Sequence, residues 1–469
     1  MPHPTRPTLP EQLIPTADEQ STEARQVNPA TIQRPSWFPF LRSRDVMVML
    51  ILGLGAGIFS YHGQRSVPPA LLHHAGDNWF QADNDRVVAN MTNRRSDHNR
   101  VKVHPLFSIT TYPPTFILRK SLGLAAEVAA SLLLAFVASL WVATLFLVLR
   151  SMGSGRIDAT LFTLCGAMSS AAMFWFVVPE TYPFGSLTIL LTLLFVAVVQ
   201  RRRVPDGWYI GLSALTLSMT ITNWMVGLLA AFTARPWRGA LQITINAFAL
   251  VTILWSVQKV IFPSAVFFLG DREEVSYLAE VDRTWLLEAS RAFAFHSIVM
   301  PAVQAEQFPP LSGNVQLSVQ KSGLGSAGFH GAVATGIWAA LLSLGVWSLV
   351  TLRQHLQWRL VLTGTLLGQL VLHLLYGSET FLYSLHFAPL LIVLAAHVVL
   401  TPARPVARLL AVALIVFGGI NNAGQLLEST AHLTEYATTQ SPVLPVEDTP
   451  AADGSIFVGE GARSIGRSR

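Results

Sequence analysis

The chain has 469 residues, 51% of them hydrophobic and only 13% charged, with a mean hydropathy of +0.46. Soluble domains carry about 25% charged residues, so a soluble globule is excluded, and the charges that remain cluster between long apolar runs. The formal charge of +5 is read as orientation rather than nucleic-acid binding, because basic loops stay on the cytoplasmic side of a membrane protein. The lone Cys165 excludes an intramolecular disulfide and a zinc cluster.

Residues 1–41, polar and Pro-rich from Pro2 to Pro35, are expected to form a disordered cytoplasmic tail without a cleavable signal peptide. A spanning helix needs about 20 apolar residues. Candidate spans run near Val46–Tyr61, Leu122–Leu149, Ala159–Val178, Phe184–Val199, Leu241–Phe262, Ala332–Leu352, Leu360–Tyr376, Phe387–Leu400 and Leu409–Ile420. The stretch Trp208–Thr233 suits one span, or two short helices broken at Thr222–Asn223. Basic residues choose between them. Arg42, Arg44, Arg150, Arg156, Arg201 to Arg203, Arg235, Arg238, Arg353, Arg359, Arg404 and Arg408 share one side only if this stretch is a hairpin returning to the side it left. The hairpin is therefore expected, giving an all-α polytopic transmembrane bundle of about ten or eleven segments. Its polar break must be buried in protein or line a wet cavity.

That topology places outer loops at about 62–121, 179–183, 263–329 and 377–384 and a transmembrane body at 42–426. Within the third loop, Tyr277, Leu278, Val281, Trp285, Leu286 and Phe293 fall at roughly helical spacing, so Glu273–Phe295 is expected to lie as a helix in the interface plane. The polar stretch 427–469 is expected to be a disordered tail. No internal repeat of the transporter kind is visible.

The first outer loop carries most of the polar chemistry. It holds Asp77, then Asp83-Asn-Asp85-Arg86, near the membrane surface beside Trp79 and Phe80. Carboxylates so spaced can share a divalent cation, or one can act as base while the other tunes it, or the first can simply cap a helix. The loop continues through Arg94, Arg95, Asp97, His98, Arg100 and Lys102 to His104-Pro-Leu-Phe107 and ends at Arg119-Lys120. Basic residues on the outer side run against the orientation bias, which an anionic ligand such as a phosphate would explain, as would the exemption of long loops from that bias. Glu180, between Pro179 and Pro183, is either paired with a loop arginine or a second acid near Asp83. Asn223 and Trp224 at the hairpin break are read as structural. Tyr182, Tyr383 and His386 stand at outer membrane edges, where His386 is an interfacial residue or a contact to a ligand headgroup.

With these residues in place the chain resembles the GT-C superfamily of membrane glycosyltransferases that use polyprenyl-phosphate-linked sugars. More narrowly, Phe80-Gln-Ala-Asp83-Asn-Asp85-Arg86-Val87, His104-Pro-Leu-Phe107, Pro179-Glu-Thr-Tyr182 and Phe381-Leu-Tyr-Ser-Leu-His386 look like bacterial membrane proteins placed near that superfamily. The resemblance spans roughly Val46 to Ile420. It implies Asp83 as the first-loop catalytic carboxylate, although Gln81 stands where an acid is expected and Asp85 adds one. Asp83, Asp85 and Glu180 are then the catalytic candidates. Arg86, Lys102, His104, Arg119, Lys120, Tyr182, Tyr383 and His386 are the candidates for binding a polyprenyl-phosphate sugar. A divalent cation is compatible with the Asp-x-Asp but not required by it, and the acceptor (glycan, lipid or protein) stays open. The implied setting is the inner membrane, with the N-terminus cytoplasmic and transfer at the periplasmic face.

Two other classes fit less closely. A transporter or flippase for a lipid-linked or anionic substrate needs ionisable groups at mid-membrane, and the apolar runs hold few beyond Glu127. A non-catalytic envelope-assembly protein, binding a partner through its outer loops, is the other alternative.

Overall fold

The computed structural model describes residues 41–67, 78–200, 202, 204–269, 277–307, 315–352 and 355–440. Of the tails expected at 1–41 and 427–469, residues 1–40 and 441–469 lie outside these, as does Asp77. The chain is a helical membrane protein: among the described residues eight helices are long and apolar enough to cross a bilayer, and the sheet is a single two-stranded hairpin. In chain order the helices are α1 Ser43–Ser66, α2 Asn84–Thr92, α3 Phe107–Leu122, α4 Ala126–Ser151, α5 Arg156–Ala167, α6 Ser170–Trp175, α7 Tyr182–Val199, α8 Asp206–Met219, α9 Trp224–Ala234, α10 Trp237–Ile261, α11 Arg283–Arg291, α12 Phe329–Thr351, α13 Leu356–Leu375, α14 Ser384–Ala396 and α15 Arg404–Gln440. Strands β1 Gln304–Gln307 and β2 Val315–Ser318 pair antiparallel. Helices α7 and α14 are almost wholly buried, whereas α1, α10 and α12 expose apolar faces of the kind lipid covers.

Small residues set the closest helix contact. A Cβ on Gly53 would lie 3.0 Å from the Ser139 carbonyl oxygen, and one on Gly57 would lie 3.1 Å from the Ala135 carbonyl and collide with Ser139 Oγ. Glycines four apart on α1 thus let its backbone meet the Ala135–Ser139 face of α4, the small-residue packing that replaces hydrophobic drive inside a bilayer. Gly57→Leu is expected to pry α1 from α4, seen as a lower melting temperature in detergent.

One end of the bundle is basic, and its arginines do more than mark a side. Asp45 is fully buried and accepts from Arg156 Nε at 2.7 Å and from Arg150 Nη2 at 3.4 Å, with the Arg42 backbone N–H at 2.9 Å. Asp158, 1% exposed, is clamped by Arg404 and Arg408. At the same end Arg235 donates to Asp206 Oδ1 and to the Val204 carbonyl, both at 2.8 Å, so the end of α9 returns to the start of α8. Trp208–Thr233 is therefore a hairpin, with Thr220 extended and a 3-10 turn at Ile221–Asn223.

The opposite end departs from the sequence reading in four places. The connection at 62–121 is not one open loop: α1 runs on to Ser66, and α2, a 3-10 turn at Asn99–Lys102 and α3 follow. Helix α3 keeps Pro113 and Pro114 inside it, while Thr115 Oγ1 ties it to the Met91 carbonyl of α2. The helix expected over Glu273–Phe295 begins only at Arg283, because Asp282 caps it, accepting from the Trp285 N–H at 2.7 Å. Upstream of it Leu278 forms an isolated antiparallel bridge with Tyr376, and Gly377 N–H donates to the Tyr277 carbonyl. The third span breaks at Met168–Ser169, where Ser170 and Ala171 N–H groups donate to the carbonyls of Ile298 and Ser297. Finally, the stretch after Leu427, expected to be disordered, continues α15 as helix to Gln440.

Candidate functional site

The site starts from a strained turn. Phe80 and Gln81 both have positive φ, 50° and 66°, a region costing non-glycine residues about 1 kcal/mol or more. Packing holds them there. Phe80 is fully buried, its ring 5.7 Å from Phe174, 6.3 Å from Trp175 and 5.1 Å from Phe381. Ser378 Oγ donates to Gln81 Oε1 at 2.9 Å, and Leu317 N–H to the Asn78 carbonyl at 2.9 Å. The turn delivers Asp83 to the start of α2, at the N-cap position, yet its side chain caps nothing. It pairs instead with Arg86 one turn on, and Arg100 Nε stands 3.9 Å away.

These groups line a chamber of about 330 Å³ with Lys102, His104, Glu180, Tyr182 and Tyr383, and with a rim of Tyr277, Tyr376 and Ser378. A second pocket of about 260 Å³ shares Arg100, Lys102, His104, Tyr182, Tyr376 and Tyr383 with it; the rest of its wall is Thr220, Thr222, His373 and His386 together with the apolar side chains Val103, Ile221, Phe268, Leu269 and Leu372. The hairpin break is held there by Ile221 N–H donating to the Val103 carbonyl and Leu106 N–H to the Ser218 carbonyl. Three cationic side chains thus meet two carboxyls where a polar chamber opens into an apolar pocket.

Behind Asp83 lies a buried dyad. His104 Nδ1 is 2.8 Å from the Met219 carbonyl, which can only accept, so Nε2 is the acceptor nitrogen, facing Thr181 Oγ1 at 3.2 Å. Thr181 Oγ1 is also 2.9 Å from Glu180 Oε1, and its single proton cannot serve both. Glu180 Oε1 also accepts the Thr181 backbone N–H at 2.9 Å, so Thr181 stands between the carboxyl and the imidazole. Burial raises the Glu180 carboxyl above its ordinary value, and burial with the Arg100 charge pushes His104 down to about 3.

Of the residues singled out from sequence, the chamber gathers Asp83, Arg86, Lys102, His104, Glu180, Tyr182 and Tyr383, and the adjoining pocket takes His386. Asp85 departs: it lines a separate basin of about 660 Å³ with Arg94, Arg95, Arg119 and Glu127, because positions two apart on a helix face nearly opposite ways. Arg119 also donates to the Thr92 carbonyl at 2.6 Å, and Lys120 lines neither chamber nor basin. The two aspartates therefore do not form a shared cation site, and Asp83 faces guanidinium groups. Among the described residues no three His, Cys, Asp or Glu come together to hold a metal. Arg100, Tyr277 and Tyr376 were missing from the sequence-derived set. Arg100 stood in the basic run with nothing to distinguish it, and the tyrosines meet only through a bridge between distant segments.

Glu379 latches the loops over this site. Buried, it accepts from Ser318 Oγ at 2.7 Å and Val319 N–H at 3.3 Å, and burial pushes its carboxyl up to about 7 from an ordinary 4.5. Both states bind the proton at low pH. Between 4.5 and 7 only the folded state does, so stability falls as pH rises through that window and levels above it. Melting temperature should decline from pH 5 to about 7 in the wild type and lose that slope in Glu379→Gln. An unchanged slope would assign the titration elsewhere.

Comparison with protein-family models, curated proteins and solved structures returns no match for this chain.

Proposed function

We propose that the chain is a membrane glycosyltransferase of GT-C type that moves a sugar from a polyprenyl-phosphate donor to an acceptor hydroxyl at the outer face of the inner membrane. The observation that carries this reading is the junction of a cationic chamber with an apolar pocket. Arg86, Arg100 and Lys102 surround the chamber, and the pocket that opens from it has the lining a prenyl chain would take. A lipid-linked phosphate needs both surfaces side by side. Asp83 takes the acceptor proton, the acceptor oxygen bonds to the anomeric carbon, and the bond from that carbon to phosphate oxygen breaks, its electron pair leaving with the polyprenyl phosphate. Arg86, Arg100 and Lys102 stabilise the charge that develops on the phosphate.

The transporter reading is weakened by where the helix-borne acids sit. Asp45 and Asp158 are committed to arginines at the basic end rather than to a central pathway. The test is transfer of radiolabelled sugar from polyprenyl-phosphate donors in membranes holding the full chain. Folded protein with no transfer from any donor tried would return weight to the transporter and assembly readings. Within this reading Arg100→Gln is expected to raise KM for the donor about tenfold with kcat less affected; an unchanged KM would place the phosphate elsewhere.

A further inference from the structure

Helix α2 is a wall between two spaces. Asp83 at its cap and Arg86 line the chamber, while Asp85 and Ala89 line the basin of about 660 Å³ on its other side. The turn bearing Arg94 and Arg95, Arg119 near the end of α3 and Glu127 in the first turn of α4 complete that basin, which shares no lining residue with the chamber or the apolar pocket. The turn is pinned in place. Arg95 N–H donates to Asn93 Oδ1 at 3.0 Å, His98 N–H to Ser264 Oγ at 3.0 Å, and Ser264 Oγ to the Ser96 carbonyl at 2.7 Å. Arg119 spends one N–H on the Thr92 carbonyl, and a guanidinium has five to give.

The surroundings fix the height of the basin in a bilayer. Glu127 opens α4, a helix of 26 residues long and apolar enough to cross a membrane. Phe116, Ile117 and Leu122 are exposed on α3 to either side of Arg119, and Tyr112 stacks on Phe116 with ring centroids 5.7 Å apart. Charged groups beside exposed apolar side chains at the mouth of a spanning helix stand where acyl chains end and phospholipid headgroups begin. Asp85, Arg94, Arg95, Arg119 and Glu127 are all exposed, so a headgroup reaches them without rearrangement.

The charges in the basin are mixed, and that selects among headgroups. Three guanidiniums alone would suit any phosphate. Asp85 and Glu127 repel a purely anionic headgroup, yet they accept hydrogen bonds from an ammonium. A choline headgroup has no N–H to give them. A phosphate joined to a primary ammonium meets both sets at once. We propose that this basin binds the headgroup of phosphatidylethanolamine, with its phosphate on Arg94, Arg95 and Arg119, its ammonium on Asp85 and Glu127, and its acyl chains along Phe116, Ile117 and Leu122. The bound lipid buttresses α2 from the side opposite Asp83. The site does not depend on the transfer reaction proposed above.

The test is native mass spectrometry of the full chain, delipidated in detergent and titrated with phosphatidylethanolamine and phosphatidylglycerol in equal amounts. The wild type should take phosphatidylethanolamine in preference. Arg94→Gln with Arg95→Gln should weaken that binding about tenfold or more, the scale of two arginines at a membrane surface. The fold should survive, since both side chains are exposed. Asp85→Asn with Glu127→Gln should turn the preference toward phosphatidylglycerol, a reversal that misfolding cannot produce. No preference in the wild type, preference for phosphatidylglycerol there, or affinities unmoved by these variants overturns the proposal. Binding that falls in Arg100→Gln but not in the basin variants would place the lipid in the chamber and overturn it too. Soluble glycerophosphoethanolamine competing as well as the lipid would make the ligand water-borne and overturn the lipid assignment.

Discussion

Asp83→Asn lowers sugar transfer by ~10²-fold or more, the scale at which removing a general base acts, while the melting temperature moves little. The substitution keeps shape and removes the proton acceptor. Stability should tolerate it because the Asp83 side chain is about one-third exposed and pairs with arginines of similar exposure, and such pairs contribute about 0–1 kcal/mol. The cations remain to bind the phosphate, so donor KM should change far less than kcat. The measurement is steady-state transfer against donor concentration, with thermal unfolding of the same preparations as control. Glu180→Gln supplies the comparison. Its carboxyl is buried with its proton held more tightly than usual, and the amide oxygen can still accept from Thr181, so its effect should be the smaller. Full activity in Asp83→Asn with loss in Glu180→Gln would move the base to the buried dyad and leave Asp83 as an arginine-orienting group.

The apolar runs made the bundle legible, since about 20 hydrophobic residues have few fates other than a span. The hairpin was legible too, because only a return to the same side gathers Arg235 with Arg150 and Arg404. The segments between spans were not. Helix α3 carries two prolines and reads as loop, yet its buried face of Phe107, Thr111 and Thr115 packs on α2 and α4. Periodicity counted Tyr277, Leu278 and Val281 into a helix that Asp282 starts later, since a short helical spacing cannot reveal a backbone bridge to Tyr376. At the site, local motifs found residues near one another in sequence, such as Asp83 with Arg86 and Glu180 with Tyr182. Partners brought in by long-range pairing, Ser378 on Gln81 and Met219 on His104, left no mark. Asp-x-Asp misled because helix geometry sends the two carboxylates to different cavities.

Arginines 404 and 408 show a second limit of the sequence reading, and with it a large expected effect on stability. Read as orientation signals, they also neutralise Asp158, whose Oδ2 accepts from Arg404 Nε at 2.9 Å and Nη2 at 2.6 Å and whose Oδ1 accepts from Arg408 Nε at 2.6 Å. Gly155 makes room for this, since a Cβ there would lie 2.5 Å from Arg404 Nη2 and 2.8 Å from Asp158 Oδ2. Asp158→Ala should destabilise the protein by about 3 kcal/mol, the low end of what breaking a buried pair costs. The low end applies because both arginines are about 40% exposed and can turn to water. Arg404→Met alone leaves Arg408 in place and should do less. The double variant Asp158→Leu with Arg404→Met replaces the pair by packed apolar groups and should lose less than the two single variants Asp158→Leu and Arg404→Met together, a coupling measured by the double-mutant cycle of those three on melting temperature. Strictly additive losses would mean that the arginines act on orientation alone and that Asp158 is held by something other than its charge.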